Sequence, residues 1–293
     1  MIILFSVILF VSSLRHNVIA AHSASYPHVL WCRVMVGGRF IRPFIFSSVC
    51  FNYPSKIMPN SFFRFRQFVV YQDRCAMKVG TDSVLLGAWA KGGRRILDVG
   101  TGTGVIALMM AQRFPQAEVM AVDIDGEACA QAVENVAASP FAGRVDVRCV
   151  AVQQLAADEA MQARFDAIVS NPPFFDNALK AKGESRLIAR HTDTLPFAQL
   201  FAAVRRLLAP SGVFSAIIPF DYRSKFESEA SLAGFFTSGV CALRTTPSKA
   251  VRRYLLSFQV ERPEEVMMEE QILEIHHGVR SEWYANLTQD FYL

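Results

Sequence analysis

The sequence predicts an α/β protein built on a mostly parallel seven-stranded sheet, with helices on both faces and an antiparallel edge. Three observations lead there. Between residues 95 and 233, short apolar runs alternate with segments of helical period, and strands separated by helices of ten or more residues pair in parallel. The last two strand-like runs have no helix between them, which makes that edge antiparallel. A glycine-rich turn joins the first strand of the alternation to its helix, where open α/β sheets receive ligands.

The elements follow in order. Phe62 to Val70 alternates apolar residues with Arg64, Arg66 and Gln67, which suits one strand. Thr81 is placed to cap a short helix that runs through Val84, Leu85, Leu86 and Trp89, and Gly92-Gly93 then forms a loop. Arg95 to Val99 reads as a buried strand, Gly104 to Phe114 as a helix, Glu118 to Val122 as a second strand and Gly126 to Ala138 as a second helix. Val145 to Val150 is the third strand, Glu159 to Ala163 part of a short helix, and Asp166 to Ser170 the fourth strand. Phe197 to Leu208 is a helix, Gly212 to Ile218 the fifth strand and Tyr222 to Ala233 a helix. Phe235 to Leu243 and Tyr254 to Val260 are the last strands, joined by a basic loop. His276-His277 reads as exposed residues of a late helix, and no Cys or Asp cluster accompanies them to suggest a metal.

Charge divides the chain. Residues 1–57 hold Arg15, Arg33, Arg39, Arg42 and Lys56 and no acid, so the overall +4 misleads. Without those five, 25 basic residues face 26 acidic ones. A nucleic-acid surface on the main body must then be a local patch. Ile2 to Val11 is about ten residues long, half of what a membrane helix needs and similar to a signal-peptide core, yet no Lys or Arg precedes it. An export signal, a membrane-associated arm and upstream sequence translated in error are the three readings. The abrupt change of composition at Met58 favours the last, with 1–57 a separate extension and 58–293 the working domain. The six cysteines show no C-x-x-C pair, which points to a reducing compartment and no metal site; Cys129 and Cys149 read as small core residues.

Two turns carry the chemistry. The first is Asp98-Val99-Gly100-Thr101-Gly102-Thr103-Gly104, whose glycines permit a tight turn and close approach of a ligand to the backbone. It is G-x-G-x-G and not the dinucleotide pattern G-x-G-x-x-G. Asp123 ends the next strand, 25 positions after Asp98, where a carboxylate can accept from both hydroxyls of a ribose. A glycine turn alone is as easily structural; the placed acid tips the reading to a ribose-bearing ligand. The second is Asn171-Pro172-Pro173-Phe174, directly after the fourth strand. Pro-Pro alone would simply end a strand, but in this order after the glycine turn it reads as catalytic. Two prolines stiffen the support of Asn171. Its side-chain oxygen and the Pro172 carbonyl can both accept from one amino group, and Phe174 can stack on the ring that bears it. That arrangement suits direct methyl transfer from a sulfonium to a planar exocyclic nitrogen, a reaction that depends on positioning and needs no prior deprotonation.

These residues resemble the Rossmann-like class I methyltransferases that modify amino nitrogens. A longer match, Met77-Lys78-Val79-Gly80-Thr81-Asp82-Ser83-Val84-Leu85-Leu86-Gly87-Ala88-Trp89-Ala90, together with the ending Asp290-Phe291-Tyr292-Leu293, is similar to the bacterial tRNA (adenine-N6) methyltransferases that modify valine tRNA beside the anticodon. The resemblance covers roughly 62–293; it departs at Ser83, where the family more often has glycine, a change expected to loosen a tight turn. It implies S-adenosyl-L-methionine as cofactor, the N6 of adenine 37 as target, a cytoplasmic monomer with tRNA as its partner, no stable protein partner and, if residues 1–57 are not part of the working protein, no membrane. It implies Asp98 near the methionine part of the cofactor and Asp123 at the ribose, with Gly100, Gly102 and Gly104 between them. Lys78, Gly80 and Thr81 would line the cofactor's carboxylate side, and Asn171, Pro172, Pro173 and Phe174 would hold the adenine, with Asn171 touching the cofactor as well.

Three basic groups are candidates for gripping phosphate: Lys180, Lys182, Arg186, Arg190 and His191 after the second turn, Lys249, Arg252 and Arg253 between the last strands, and Arg64, Arg66 and Arg74 at the start. Taken singly, each is as well explained as a solvated face. Methylation of protein glutamine or of rRNA guanine N2 is the competing activity, since both use a similar second turn, and an inactive fold retained for RNA binding is a competitor of another class. The Lys78 segment disfavours the first pair; intact Asp98, Asp123 and Asn171 disfavour the last.

Overall fold

The computed structural model describes residues 18–21, 31–36, 39–40, 61–75, 77–173 and 195–293. The chain divides into two units, Met1–Ile57 and Met58–Leu293. In the first, β1 (Val18–Ala21), β2 (Trp31–Val36) and β3 (Arg39–Phe40) pair antiparallel in that order. Every other element belongs to the second.

There the chain starts with a hairpin, β4 (Phe62–Arg64) and β5 (Val69–Tyr71), where a single strand was expected. Phe65 and Phe68 cause the break. Both are buried with rings stacked 4.7 Å apart, and the Phe65 N–H donates to the Phe68 carbonyl at 2.9 Å. Burying both rings on one side requires a turn, which alternation along a straight strand cannot supply. Helix α1 (Thr81–Trp89) follows, with Gly80 at its N-cap and no side-chain cap; Thr81 is its first residue and not its cap.

The main sheet has eight strands: β6 (Arg95–Val99), β7 (Glu118–Asp123), β8 (Val145–Cys149), β9 (Phe165–Ser170), β10 (Leu208–Pro219), β11 (Phe236–Arg244), β12 (Val251–Gln259) and β13 (Met267–Ile272). Their spatial order is β13-β11-β12-β10-β9-β6-β7-β8. The expected count was seven. The eighth, β13, lies parallel to β11 at the edge, and its Met-Met-Glu-Glu-Gln-Ile sequence has no buried face to betray it. The antiparallel element of the sheet is β12, inserted between β10 and β11 and antiparallel to both. β10 begins at Leu208, directly at the end of the preceding helix and earlier than expected.

The connections are α2 (Val105–Arg113), α3 (Gly126–Ala137), α4 (Val152–Ala157), α5 (Phe197–Leu207) and α6 (Arg223–Leu232). The short helix expected at 159–163 is instead α4 and a separate 3-10 turn, Glu159–Met161. Buried Val152, Leu155 and Ala156 give α4 its apolar face at i, i+3 and i+4. His276-His277 lies on no helix: β14 (Glu274–His276) and β15 (Val279–Arg280) form a hairpin, with Gly278 at φ +81° in its turn. Helix α7 (Glu282–Thr288) closes the chain, and its Ser281 cap accepts from the Tyr284 N–H at 3.1 Å.

Alternation along the central strands feeds two cores. Ile96, Val119, Ala121 and Val169 face α1 and α2, while Leu97, Met120, Val122 and Ile168 face α5 and α6. Helices α1 and α2 pack so closely that a Cβ at Gly87 would stand 2.8 Å from Met109 Sδ. Among the described residues no helix is long and apolar enough to cross a membrane.

Candidate active site

Strand order decides where the site lies. From β6 the chain moves outward to β7 and β8, then returns to the other side of β6 as β9 and continues to β10. The reversal falls between β6 and β9, and ligands of open α/β sheets bind beyond the carboxyl ends of strands at such a point. The glycine turn leaves β6 and Asn171 leaves β9. Val99 and Ser170 are register partners, so the two turns leave adjacent strands at the same level. Ser170 is buried and its hydroxyl donates to the Val99 carbonyl at 2.9 Å, locking the two strand ends together.

The glycine turn folds toward β7. Gly100 and Thr101 donate their N–H groups to the Val122 carbonyl at 2.9 and 3.0 Å, and Gly102 donates to Asp123 Oδ2 at 2.8 Å. Gly100, Gly102 and Gly104 have φ of +72°, +55° and +80°, the region that favours glycine. A Cβ on Gly100 or Gly102 would meet nothing within 4 Å. These two positions therefore line open space, while a Cβ on Gly104 would stand 3.4 Å from Ala132 Cβ where α2 packs against α3.

Asp98 is fully buried beneath this turn. Its Oδ2 accepts from Thr101 Oγ1 at 2.6 Å and from the Ala107 N–H at 3.1 Å, but its Oδ1 has no partner among the described residues. Burial pushes its pKa up to about 7, opposed by those two hydrogen bonds and aided by nearby Asp123. A buried carboxyl oxygen without a donor suits a cationic or N–H-bearing ligand group. Asp123 accepts one backbone N–H on each oxygen, from Gly102 on Oδ2 and from Asp125 at 3.1 Å on Oδ1. Each oxygen retains an acceptor site, which fits a diol. The residues present thus fit a ligand with a ribose and a positively charged amino group.

The segment before α1 is fastened by residues that sequence reasoning missed. Gln72 Oε1 accepts from the Val79 N–H at 2.8 Å, and Gln131 Oε1 from the Arg74 N–H at 3.1 Å. Asn135 accepts from the Tyr71 N–H and donates to the Tyr71 and Thr103 carbonyls, at 2.8 to 2.9 Å. It so ties the hairpin to the glycine turn. The available signal was a pair of amides, Gln131 and Asn135, in line with Ala128, Ala132 and Val136 on the buried face of α3. Lys78 and Thr81 are exposed. Gly80 has φ −127° and a nearly open Cβ position, so no backbone demand explains that glycine. Ser83 lies inside the first turn of α1, not in a tight turn, and its backbone needs no glycine.

Asn171 is half-buried and its Nδ2 donates to Ser83 Oγ at 3.4 Å. Pro172 and Pro173 follow it; Phe174 and the basic segment with Lys180, Lys182, Arg186, Arg190 and His191 lie outside the described residues. The remaining basic residues separate. Arg253 Nε pairs with Asp82 at 2.8 Å, Arg74 pairs with Glu134, and Arg66 Nε donates to the Tyr292 carbonyl at 2.6 Å. Lys249 and Arg252 are exposed, and Arg252 lines a cleft of about 470 Å³ together with Asp82 and Leu85. Strand register puts them at the same edge as the two turns: Arg253 pairs with Pro219, three residues past Ala216, the partner of Ser170. Cys129 is buried as expected, but Cys149 is exposed at the end of edge strand β8.

Residues that fit a ligand with a ribose and a charged amino group stand on β6 and β7 beside an Asn-Pro-Pro turn on β9, and the chain is an enzyme of the methyltransferase class. The Methyltransferase small domain family matches residues 76–217. The chain belongs to the tRNA1(Val) (adenine(37)-N6)-methyltransferase family. It is 48% identical over 238 residues to the enzyme of that name from Phocaeicola vulgatus, covering 80% of this chain and 99% of the relative. Relatives of the same name from Bacteroides fragilis and Pseudoalteromonas translucida are 42% and 38% identical, covering 80% and 79% of this chain and 99% and 98% of their own. In fold the chain is similar to a solved structure described as a predicted O-methyltransferase from Agrobacterium tumefaciens, with a TM-score of 0.54 and 16% identity over 72% of this chain and 96% of that one.

Proposed function

We propose that this protein methylates the N6 amino group of an adenine in tRNA, adenine 37 of valine tRNA, with S-adenosyl-L-methionine as methyl donor. The observation that carries the reading is the register of β6 on β9, which brings the glycine turn and Asn171 to one edge at one level. When bound, the cofactor supplies an electrophilic methyl group on a sulfonium. The Asp98 Oδ1 would face its ammonium group, Asp123 its ribose, and Lys78 to Thr81 its carboxylate side. Asn171 Oδ1 and the Pro172 carbonyl would each accept one hydrogen of the adenine amine. Two acceptors on one NH₂ hold it and raise the density of its lone pair, and the nitrogen sheds a proton after it has gained the methyl group. Phe174 would stack on the adenine once it has left its neighbours. Since positioning does most of the work, a site without a catalytic His or Cys is sufficient.

The domain that performs this begins at Met58, works as a cytoplasmic monomer and takes tRNA as its one macromolecular partner. The 38% to 48% identity to tRNA enzymes, sustained across nearly the whole of those relatives, favours adenine in tRNA over protein glutamine or guanine. Mass spectrometry of purified valine tRNA and of rRNA from cells with and without the protein tests the reading. N6-methyladenosine at position 37 of valine tRNA should disappear with the protein; an unchanged level there, with loss of N2-methylguanosine from rRNA, would overturn it.

A further inference from the structure

The contact between Asn171 and Ser83 gives the amide a fixed partner. Ser83 stands in the first turn of α1, whose Val84, Leu85 and Leu86 are buried to within 1%. That burial anchors the backbone from beneath. From the side, neighbouring Asp82 is paired through Oδ2 to Arg253 Nε at 2.8 Å, tying the same turn to β12. The serine hydroxyl is thus held on a braced element rather than on a loop. Asn171 has less support of its own. Ser170 before it is locked to Val99, and two prolines follow, but these fix the backbone only. The carboxamide can still rotate about its side-chain bonds. Its Nδ2 donates to Ser83 Oγ at 3.4 Å, and among the described residues nothing donates to its Oδ1.

We propose that Ser83 is a positioning residue: by holding Asn171 Nδ2 it aims Oδ1 at the amine to be methylated. The inference rests on the proposed role of Asn171. An amide has one donor end and one acceptor end, so occupying the donor end decides which end meets the substrate. An amine needs an acceptor; an amide turned end for end would present N–H to N–H and repel it. The distance is long for a hydrogen bond, so the effect is modest and concentrated in the rate of transfer.

Single-turnover methylation of tRNA with excess enzyme and saturating cofactor tests this in the full chain. Ser83→Ala should slow transfer about threefold to tenfold, the worth of one ordinary hydrogen bond. Cofactor Kd and the KM for tRNA should stay at their wild-type values. Alanine favours the helix it enters, so folding is not at risk. Ser83→Thr, which keeps the hydroxyl, should retain most of the rate. In an Asn171→Ala background, Ser83→Ala should slow transfer no further, because the group it aims is gone. A wild-type rate for Ser83→Ala beside a slow Asn171→Ala overturns the role of Ser83 and leaves that of Asn171 intact. Equal losses from Ser83→Ala in both backgrounds overturn it too, since the serine then acts elsewhere. A wild-type rate for Asn171→Ala instead overturns the reading of Asn171 on which the inference stands.

Discussion

Burial gives Asp98 a charge response within the physiological pH range. Its folded pKa of about 7 lies above the ordinary 3.8, so between those values the folded protein holds a proton that the unfolded chain lacks. The stability from this group is fully present below pH 3.8 and is lost as pH rises through about 7. Without cofactor, the wild-type protein should therefore lose Tm from pH 6 to pH 8 relative to Asp98→Asn, which carries no titrating carboxyl; parallel Tm curves for the two would remove Asp98 as the source. At β7, Asp123→Ala should weaken S-adenosylmethionine binding by about 1–3 kcal/mol through lost ribose hydrogen bonds. Calorimetry that finds cofactor affinity unchanged would take Asp123 out of the site. The turns that carry Asp98, Asp123 and Asn171 at the ends of their strands were legible in the sequence because turn chemistry is local. Ser170, Gln72 and Asn135 were not, since their partners lie 71, 7 and 64 or 32 residues away. Their value comes from register and packing, which no local pattern reports.

Among the elements, the central parallel strands β6, β7 and β9 were readable because a strand buried on both faces is a continuous apolar run. The misreadings occurred where that signal fails. β13 buries no full face, α4 is less than two turns long, and the Phe65–Phe68 turn breaks an alternation that looks regular on paper. A cluster of phenylalanine rings fills the α5–α6 face. Phe201 is fully buried on α5, with its ring centroid 4.7 Å from Phe226 and 5.5 Å from both Phe214 and Phe258. Phe201→Ala should destabilise the domain by about 3–5 kcal/mol, the range for emptying a buried aromatic site. A denaturation midpoint close to wild type would mean that this cluster collapses around the loss. The edge elements behave differently: Arg253→Ala should cost some stability by freeing Asp82, whereas Lys249→Ala and Arg252→Ala should leave the fold unchanged and raise the KM for tRNA with a flatter salt dependence. An unchanged salt slope for that double variant would return Lys249 and Arg252 to a plain solvated face.

For the whole molecule, the break in composition at Met58 coincides with the boundary between the two units. A chain beginning at Met58 should fold, bind cofactor and methylate tRNA at least as well as the full chain; aggregation of the shorter chain beside an active full one would make residues 1–57 structural. What joins the parts into an enzyme is the reversal of strand order between β6 and β9. The sequence placed both turns directly after strands, yet the reversal itself and the level of Val99 with Ser170 became visible only in the paired strands. The central claim is that this reversal sets a methyl-donor cradle beside an amine-holding turn, with separate residues for each task. Quench-flow with excess Asn171→Ala enzyme and saturating S-adenosylmethionine tests it most directly. Cofactor affinity should hold while the single-turnover rate falls on the order of 10²-fold; a folded Asn171→Ala protein that transfers methyl at the wild-type rate would contradict it.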